Sequence, residues 1–70
     1  MTLAEAESGN EYLVKEIQSE DDELSKYLFS LGCYAGETIT IISRKKNHLI
    51  LLIHDARYNV DMDLARTIIV

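Results

Sequence analysis

A single cysteine, Cys33, in a chain of 70 residues is the feature that most narrows what this sequence can fold into. Small domains bury a smaller share of their surface than large ones, and natural chains of this size commonly add disulfides, a structural metal or a partner to the hydrophobic core. One thiol excludes an intrachain disulfide, and it excludes the zinc schemes that need two to four thiolates at short spacing. A second core would need roughly 50 further residues, so residues 1–70 read as one domain. What remains is a closely packed fold or self-association. Hydrophobic residues at 47% and charged residues at 27% are ordinary for a globular chain, so the sequence is expected to fold.

One segment reads as helix. Ser19 precedes Glu20-Asp21-Asp22-Glu23, and the Ser19-x-x-Asp22 spacing resembles a capping box with acids placed favourably on the helix dipole. Leu24, Tyr27, Leu28 and Leu31 follow at i, i+3, i+4 and i+7, which makes one apolar stripe. Gly32 comes next, where a left-handed C-terminal position favours glycine, so the helix is expected over Glu20 to Leu31.

The rest reads as strand and turn. Glu11 to Ile17 carries Tyr12, Val14 and Ile17, whose uneven spacing suggests a bulge. Thr38 to Ser43 alternates and is β-branched. The tetrad Arg44-Lys45-Lys46-Asn47 is expected to form a solvated hairpin tip leading into a strand from His48 to His54. A turn near Asp55-Ala56, a strand over Tyr58 to Met62, one helical turn at Asp63 to Arg66 and a closing strand Thr67 to Val70 complete the chain. Thr2 and Glu5 form a Thr-x-x-Glu box around another single turn. Five short strands with one inserted helix point to a mostly β fold, a small, partly closed SH3-like barrel whose closure manages its edges. The alternative is an open α+β meander with the helix on one face.

Net charge is −5, and it is uneven, with −6 in residues 1–35 and +1 in residues 36–70. An acidic chain gains little from releasing phosphate counterions, so no nucleic acid is expected as principal partner. The start Met1-Thr2-Leu3-Ala4-Glu5 lacks a basic signal-peptide region, and the longest apolar run, Leu49 to Ile53, is five residues. A membrane span needs about 20. The expectation is a cytoplasmic protein that does not cross the membrane.

The order of these features carries a family resemblance. The stripe ending at Leu31-Gly32, then Gly36, Ile39 and Ile41, and a closing Ala65-x-x-Ile68-x-Val70 resembles FeoA, the small ferrous iron transport accessory protein. Thr2-Leu3-Ala4, Gly9 and Val14-x-x-Ile17 agree with it, so the resemblance covers the whole chain. Where the family usually has Pro-Gly this chain has Ala35-Gly36; the glycine still permits a type II turn, while losing the proline costs ~0.4–1 kcal/mol through the unfolded state. The resemblance implies an SH3-like barrel that works with FeoB, the membrane ferrous iron transporter with a GTP-binding part. Related domains end metal-dependent repressors; with no DNA-binding helices here, an accessory role is expected.

No catalytic constellation can be assembled, and an enzyme is not expected. Gly9, Gly32 and Gly36 are dispersed and form no phosphate loop, and Glu20 to Glu23 reads as a solvated helix start. The weak metal candidates are Cys33, His48 and His54. On an extended strand the two histidines, six positions apart, share a face but stand about 20 Å apart, too far for one ion. A soft Cys/His site for Fe(II) or another divalent ion stands against the plainer reading of strand-end histidines and a semi-buried thiol, and no tightly bound cofactor is expected.

The stretch from Leu49 to Ile53 is apolar on both faces of a strand, since Leu49, Leu51 and Ile53 alternate with Ile50 and Leu52. Either the helix or a terminal turn covers the second face, or Ile50 and Leu52, joined by Ile42, dock a partner or a second copy. Tyr34, Arg57 and Tyr58 sit in or beside expected loops and are residue types found at interface hot spots, Tyr34 otherwise plugging a barrel end. The expected function is therefore an interaction protein of ferrous iron uptake docking on FeoB. The alternatives are a metal-sensing regulatory domain and an SH3-like module for another protein.

Overall fold

In the computed structural model, which describes residues 1–70, the expected elements form six short strands and two helices. A 3₁₀ turn at Leu3–Glu5 is followed by β1 (Glu11–Leu13), β2 (Glu16–Ile17), α1 (Asp22–Leu31), β3 (Thr38–Arg44), β4 (His48–Ile53), β5 (Ala56–Asp61), α2 (Met62–Ala65) and β6 (Ile68–Ile69). They make two antiparallel sheets, one in the order β1-β3-β4-β5 and one pairing β2 with β6. The two sheets stay separate, so the barrel is partly closed.

The strand expected over Glu11 to Ile17 is two strands in two sheets, and the uneven spacing marks a corner instead of a bulge. Val14 N–H donates to Glu37 O of one sheet, and Lys15 N–H donates to Ile69 O of the other. Backbone groups that change partners between adjacent residues turn the strand from one layer to the next. The bulge lies elsewhere, in β3 between Ile41 and Ser43. It keeps Ser43 opposite Ile50 and brings Arg44 opposite Leu49, so Arg44 ends a strand and is no part of the hairpin tip. Its Nη1 donates to the carbonyls of Ala4 (2.5 Å) and Ala6 (2.9 Å), tying β3 to the 3₁₀ turn 38 to 40 residues away.

Helix α1 starts two residues later than expected. Asp21, in extended conformation, is the N-cap, its carboxylate accepting from Glu23 N–H (2.9 Å) and Leu24 N–H (3.3 Å). Ser19 serves the preceding turn by accepting from Asp21 N–H. An ionised acceptor is stronger than a hydroxyl at the positive end of a helix, which explains why the cap falls on the acid. Gly32, with φ of 91°, ends the helix in the left-handed region. Leu28 is fully buried, while Leu24 and Leu31 pack against the core; Tyr27, placed on the stripe by its spacing, is instead 49% exposed.

The second half shows similar shifts. The β4–β5 turn is His54-Asp55, both with positive φ (52° and 32°), and β5 starts at Ala56. Asp61 caps α2 by accepting from Leu64 N–H (2.7 Å). At the N-terminus, Thr2 N–H donates to Glu5 Oε1 (3.1 Å), a bond that holds the Glu5 carboxyl below its usual value.

Fourteen hydrophobic residues from Leu3 to Val70 form one core, and no polar or charged residue is buried. It fills the space between the inner faces of the sheets and the leucine stripe of α1. Full burial of one such leucine is worth about 1.5–3 kcal/mol.

Candidate interaction site

Alternation divides the four-stranded sheet cleanly. Tyr12, Ile39, Ile41, Leu49, Leu51, Ile53, Tyr58 and Val60 face the core or pack against it. Glu11, Leu13, Thr38, Thr40, Ile50, Leu52, Arg57 and Asn59 therefore face outward, joined by Ile42 at the bulge. On this outer face Leu13 is 54% exposed, while Ile42, Ile50 and Leu52 are half-buried and lie outside the core cluster. The leucine stripe of α1 is turned to the core, so α1 does not supply the cover considered for Ile50 and Leu52. Arg57 and Tyr58 lie within β5 and on opposite faces, neither in a loop; Arg57 is exposed on the outer face, while half-buried Tyr58 packs against the core.

A second exposed cluster lies at the end of α1. Phe29, 65% exposed, stacks on half-buried Tyr34 with ring centroids 4.8 Å apart at 32°. Tyr34 begins the turn Tyr34-Ala35-Gly36-Glu37, closed by Glu37 N–H donating to Tyr34 O, and Gly36 takes φ of 95° as the expected type II turn requires. The Glu37 carboxylate, by accepting from the Tyr34 hydroxyl and by its charge, pushes the phenol above its usual value. Phe29 falls off the leucine stripe, and that exclusion is the sequence signal that could have marked it as exposed. Tyr27, also exposed, lies two residues away and so points to a different side of the helix.

The metal candidates Cys33, His48 and His54 belong to no group of three or more ligands. Cys33 is buried, and desolvation pushes its thiol up to about 11, so the thiolate a metal requires is disfavoured. His48 opens β4 and pairs with Asp61 in register, whereas His54 has left the strand and lies 3.5 Å from Glu37. No three His, Cys, Asp or Glu side chains form a group able to hold an ion.

The largest hollow is an open cleft of about 350 Å³ lined by Lys46, Asn47, Asp61, Met62, Asp63 and Arg66. Its carboxylates are already engaged, Asp61 in capping α2 and Asp63 with Arg66. The cleft holds no nucleophile paired with a base.

Short strands wrapped into two unclosed sheets, with a one-turn helix before the last strand, define an SH3-like β domain. The model of the FeoA domain family matches residues 1–70, and the chain belongs to that family. Among solved structures, an iron uptake regulatory protein, FeoA, superposes with a TM-score of 0.88 at 22% identity, over 97% of this chain and 91% of that one. FeoA of Stenotrophomonas maltophilia, solved with zinc and described as an SH3 domain protein and candidate ferrous iron transport activating factor, gives 0.86 at 20% identity over 99% and 87%. A manganese-dependent transcriptional repressor gives 0.87 at 18% identity, this chain spanning 97% of its own length but 39% of the repressor. At these identities the likeness shows the fold. No curated protein matches the chain. No helix is long and apolar enough to cross a membrane.

Proposed function

We propose that this chain is an accessory protein of ferrous iron uptake that docks on the cytoplasmic GTP-binding part of the transporter FeoB and modulates it. Family membership supports the iron connection, and the exposed Phe29–Tyr34 stack supports docking as its mode of action. Aromatic anchors contribute a large contact area at low entropic cost, and one such pair can dominate an interface. The acids Glu20 to Glu23 begin about two helical turns away from Phe29, so a surface with an apolar socket beside basic residues is the complement.

Binding of the purified chain to detergent-solubilised FeoB, measured by titration, tests this reading. Saturable binding is expected, and Phe29→Ser combined with Tyr34→Ala should weaken it about tenfold or more while the circular dichroism spectrum is retained. Absence of binding by the intact folded chain overturns the FeoB reading. Undiminished binding by the double variant moves the dock elsewhere.

A further inference from the structure

A row of four residues crosses the outer face of the large sheet from edge to edge. Register sets Glu11 beside Thr40, Thr40 beside Leu52, and Leu52 beside Arg57. An acid stands on the β1 edge and a base on the β5 edge, with three strand spacings of ~4.8 Å between them. They are too far apart to pair with each other, and neither joins an ion pair or a side-chain hydrogen bond within the chain; the oppositely charged side chains in contact are Asp63 and Arg66, and His54 lies beside Glu37. Beside the row lie the half-buried Ile42 and Ile50.

This order is complementary to its own reverse. We propose that the outer face is a self-association surface on which a second copy of this chain stacks, sheet on sheet, about a two-fold axis parallel to β4. Rotation about that axis keeps the strand direction and reverses the order of strands, so β1 of one copy lies over β5 of the other. Glu11 then faces the partner's Arg57 at both rims, and Leu52 faces the partner's Thr40 between them. Packed sheets stand about 10 Å apart, a gap that an arginine and a glutamate reaching from opposite sides can span. The competing face-to-face arrangement, with its two-fold axis across the strands, sets Glu11 over Glu11 and Arg57 over Arg57. Like-charge repulsion disfavours that arrangement, so charge selects the first.

The size of the face sets the strength. Four strands by six residues give a plan area of about 380 Å² per copy, well below the ~800 Å² per partner of a standard interface. The dimer is therefore weak and concentration-dependent. Its charge pairs lie at the rim and are screened by salt.

Sedimentation of the purified chain from about 10 μM to about 1 mM at low salt tests the proposal. A monomer–dimer equilibrium that shifts toward monomer as salt rises is expected, with Leu52→Asp abolishing it. Glu11→Arg and Arg57→Glu should each weaken association several-fold, and the double exchange Glu11→Arg/Arg57→Glu should restore it. The charge exchanges are exposed, so they carry the test even if Leu52→Asp fails to fold. A monomer throughout, a dimer indifferent to Leu52→Asp, or a double exchange no better than its singles overturns the proposal. Loss of FeoB binding in these variants with no sedimentation change assigns the face to FeoB and overturns it as well.

Discussion

The imidazole of His54 lies over the bare backbone of Gly32, where a Cβ would stand 2.5 Å from the ring Cδ2. This contact joins the end of α1 to the β4–β5 turn, and the Glu37 carboxylate lies 3.5 Å from the ring Nε2. Gly32→Ala faces two penalties. The ring is the free end of an exposed side chain and can swing away, sacrificing a surface contact with Glu37 worth little. The φ of 91° cannot be relieved so easily, because a Cβ in the left-handed region meets the following carbonyl. Gly32→Ala should therefore destabilise by about 1–2 kcal/mol, and nearly as much in a His54→Ala background. Urea unfolding of the four proteins checks this; a penalty that vanishes with His54→Ala would assign the effect to the ring.

Arg44 separates itself from the other cations of the Arg44-Lys45-Lys46 run by where the bulge aims it. Two charge-assisted hydrogen bonds, to Ala4 O and Ala6 O, hold the 3₁₀ turn on the end of β3. Arg44→Ala should lower stability by about 1–2 kcal/mol, since both carbonyls lose a charged donor but the site is reached by water. Lys45→Ala and Lys46→Ala should each stay within about 0.5 kcal/mol. Denaturant midpoints at constant m-value distinguish the three.

What the sequence made legible follows from how local each signal is. The strip Thr38 to Ile41, the apolar run of β4 and the Gly32 stop depend on neighbours within a turn or a pleat, and all three stand in the structure as read. The corner at Val14-Lys15 and the bulge at Ile42-Ser43 do not, because each depends on pairing with another strand: with Glu37 and Ile69, more than 20 residues away, for the corner, and with Ile50 across the hairpin for the bulge. The cap at Asp21 was misplaced for another reason. Four consecutive acids after a serine offer several equivalent starts, and the chain's entry from β2 decides among them. The outer sheet face was half legible: alternation exposed Ile50 and Leu52 as an unpartnered pair, but Glu11 joins their row only through β3. Phe29 carries no positive signal in the sequence, because the leucine stripe defines only the buried side of α1.

Cys33 supplies a prediction about alkaline pH. Burial raises the folded-state thiol to about 11, above its value in an unfolded chain. The neutral thiol is the form the fold favours, so its contribution is fully present below the unfolded pKa of about 8.5 and is lost as pH rises toward 11. Stability of the native chain should fall across that window more steeply than that of Cys33→Ala, which carries no such group. In addition, a thiol-directed alkylating reagent at pH 8 should react slowly with the folded protein and rapidly in urea. Rapid labelling of the folded chain would show the thiol to be accessible.

Metal titration completes the separation of docking from sensing. A resident divalent ion needs three or four converging ligands, and no such group exists around His48, His54 or the buried Cys33. His54 and Glu37, the nearest pair, supply two donors at most and leave the ion largely to water. Zn(II) titrated at neutral pH into the chain, free of any affinity tag, should release no heat fitting a stoichiometric site of micromolar affinity or tighter. Cys33→Ala and His54→Ala should give the same trace, because neither removes a ligand from an assembled site. A one-to-one site abolished by His54→Ala would establish metal sensing. It would make the Glu37–His54 pair the seed of a centre completed by rearrangement or by a second copy.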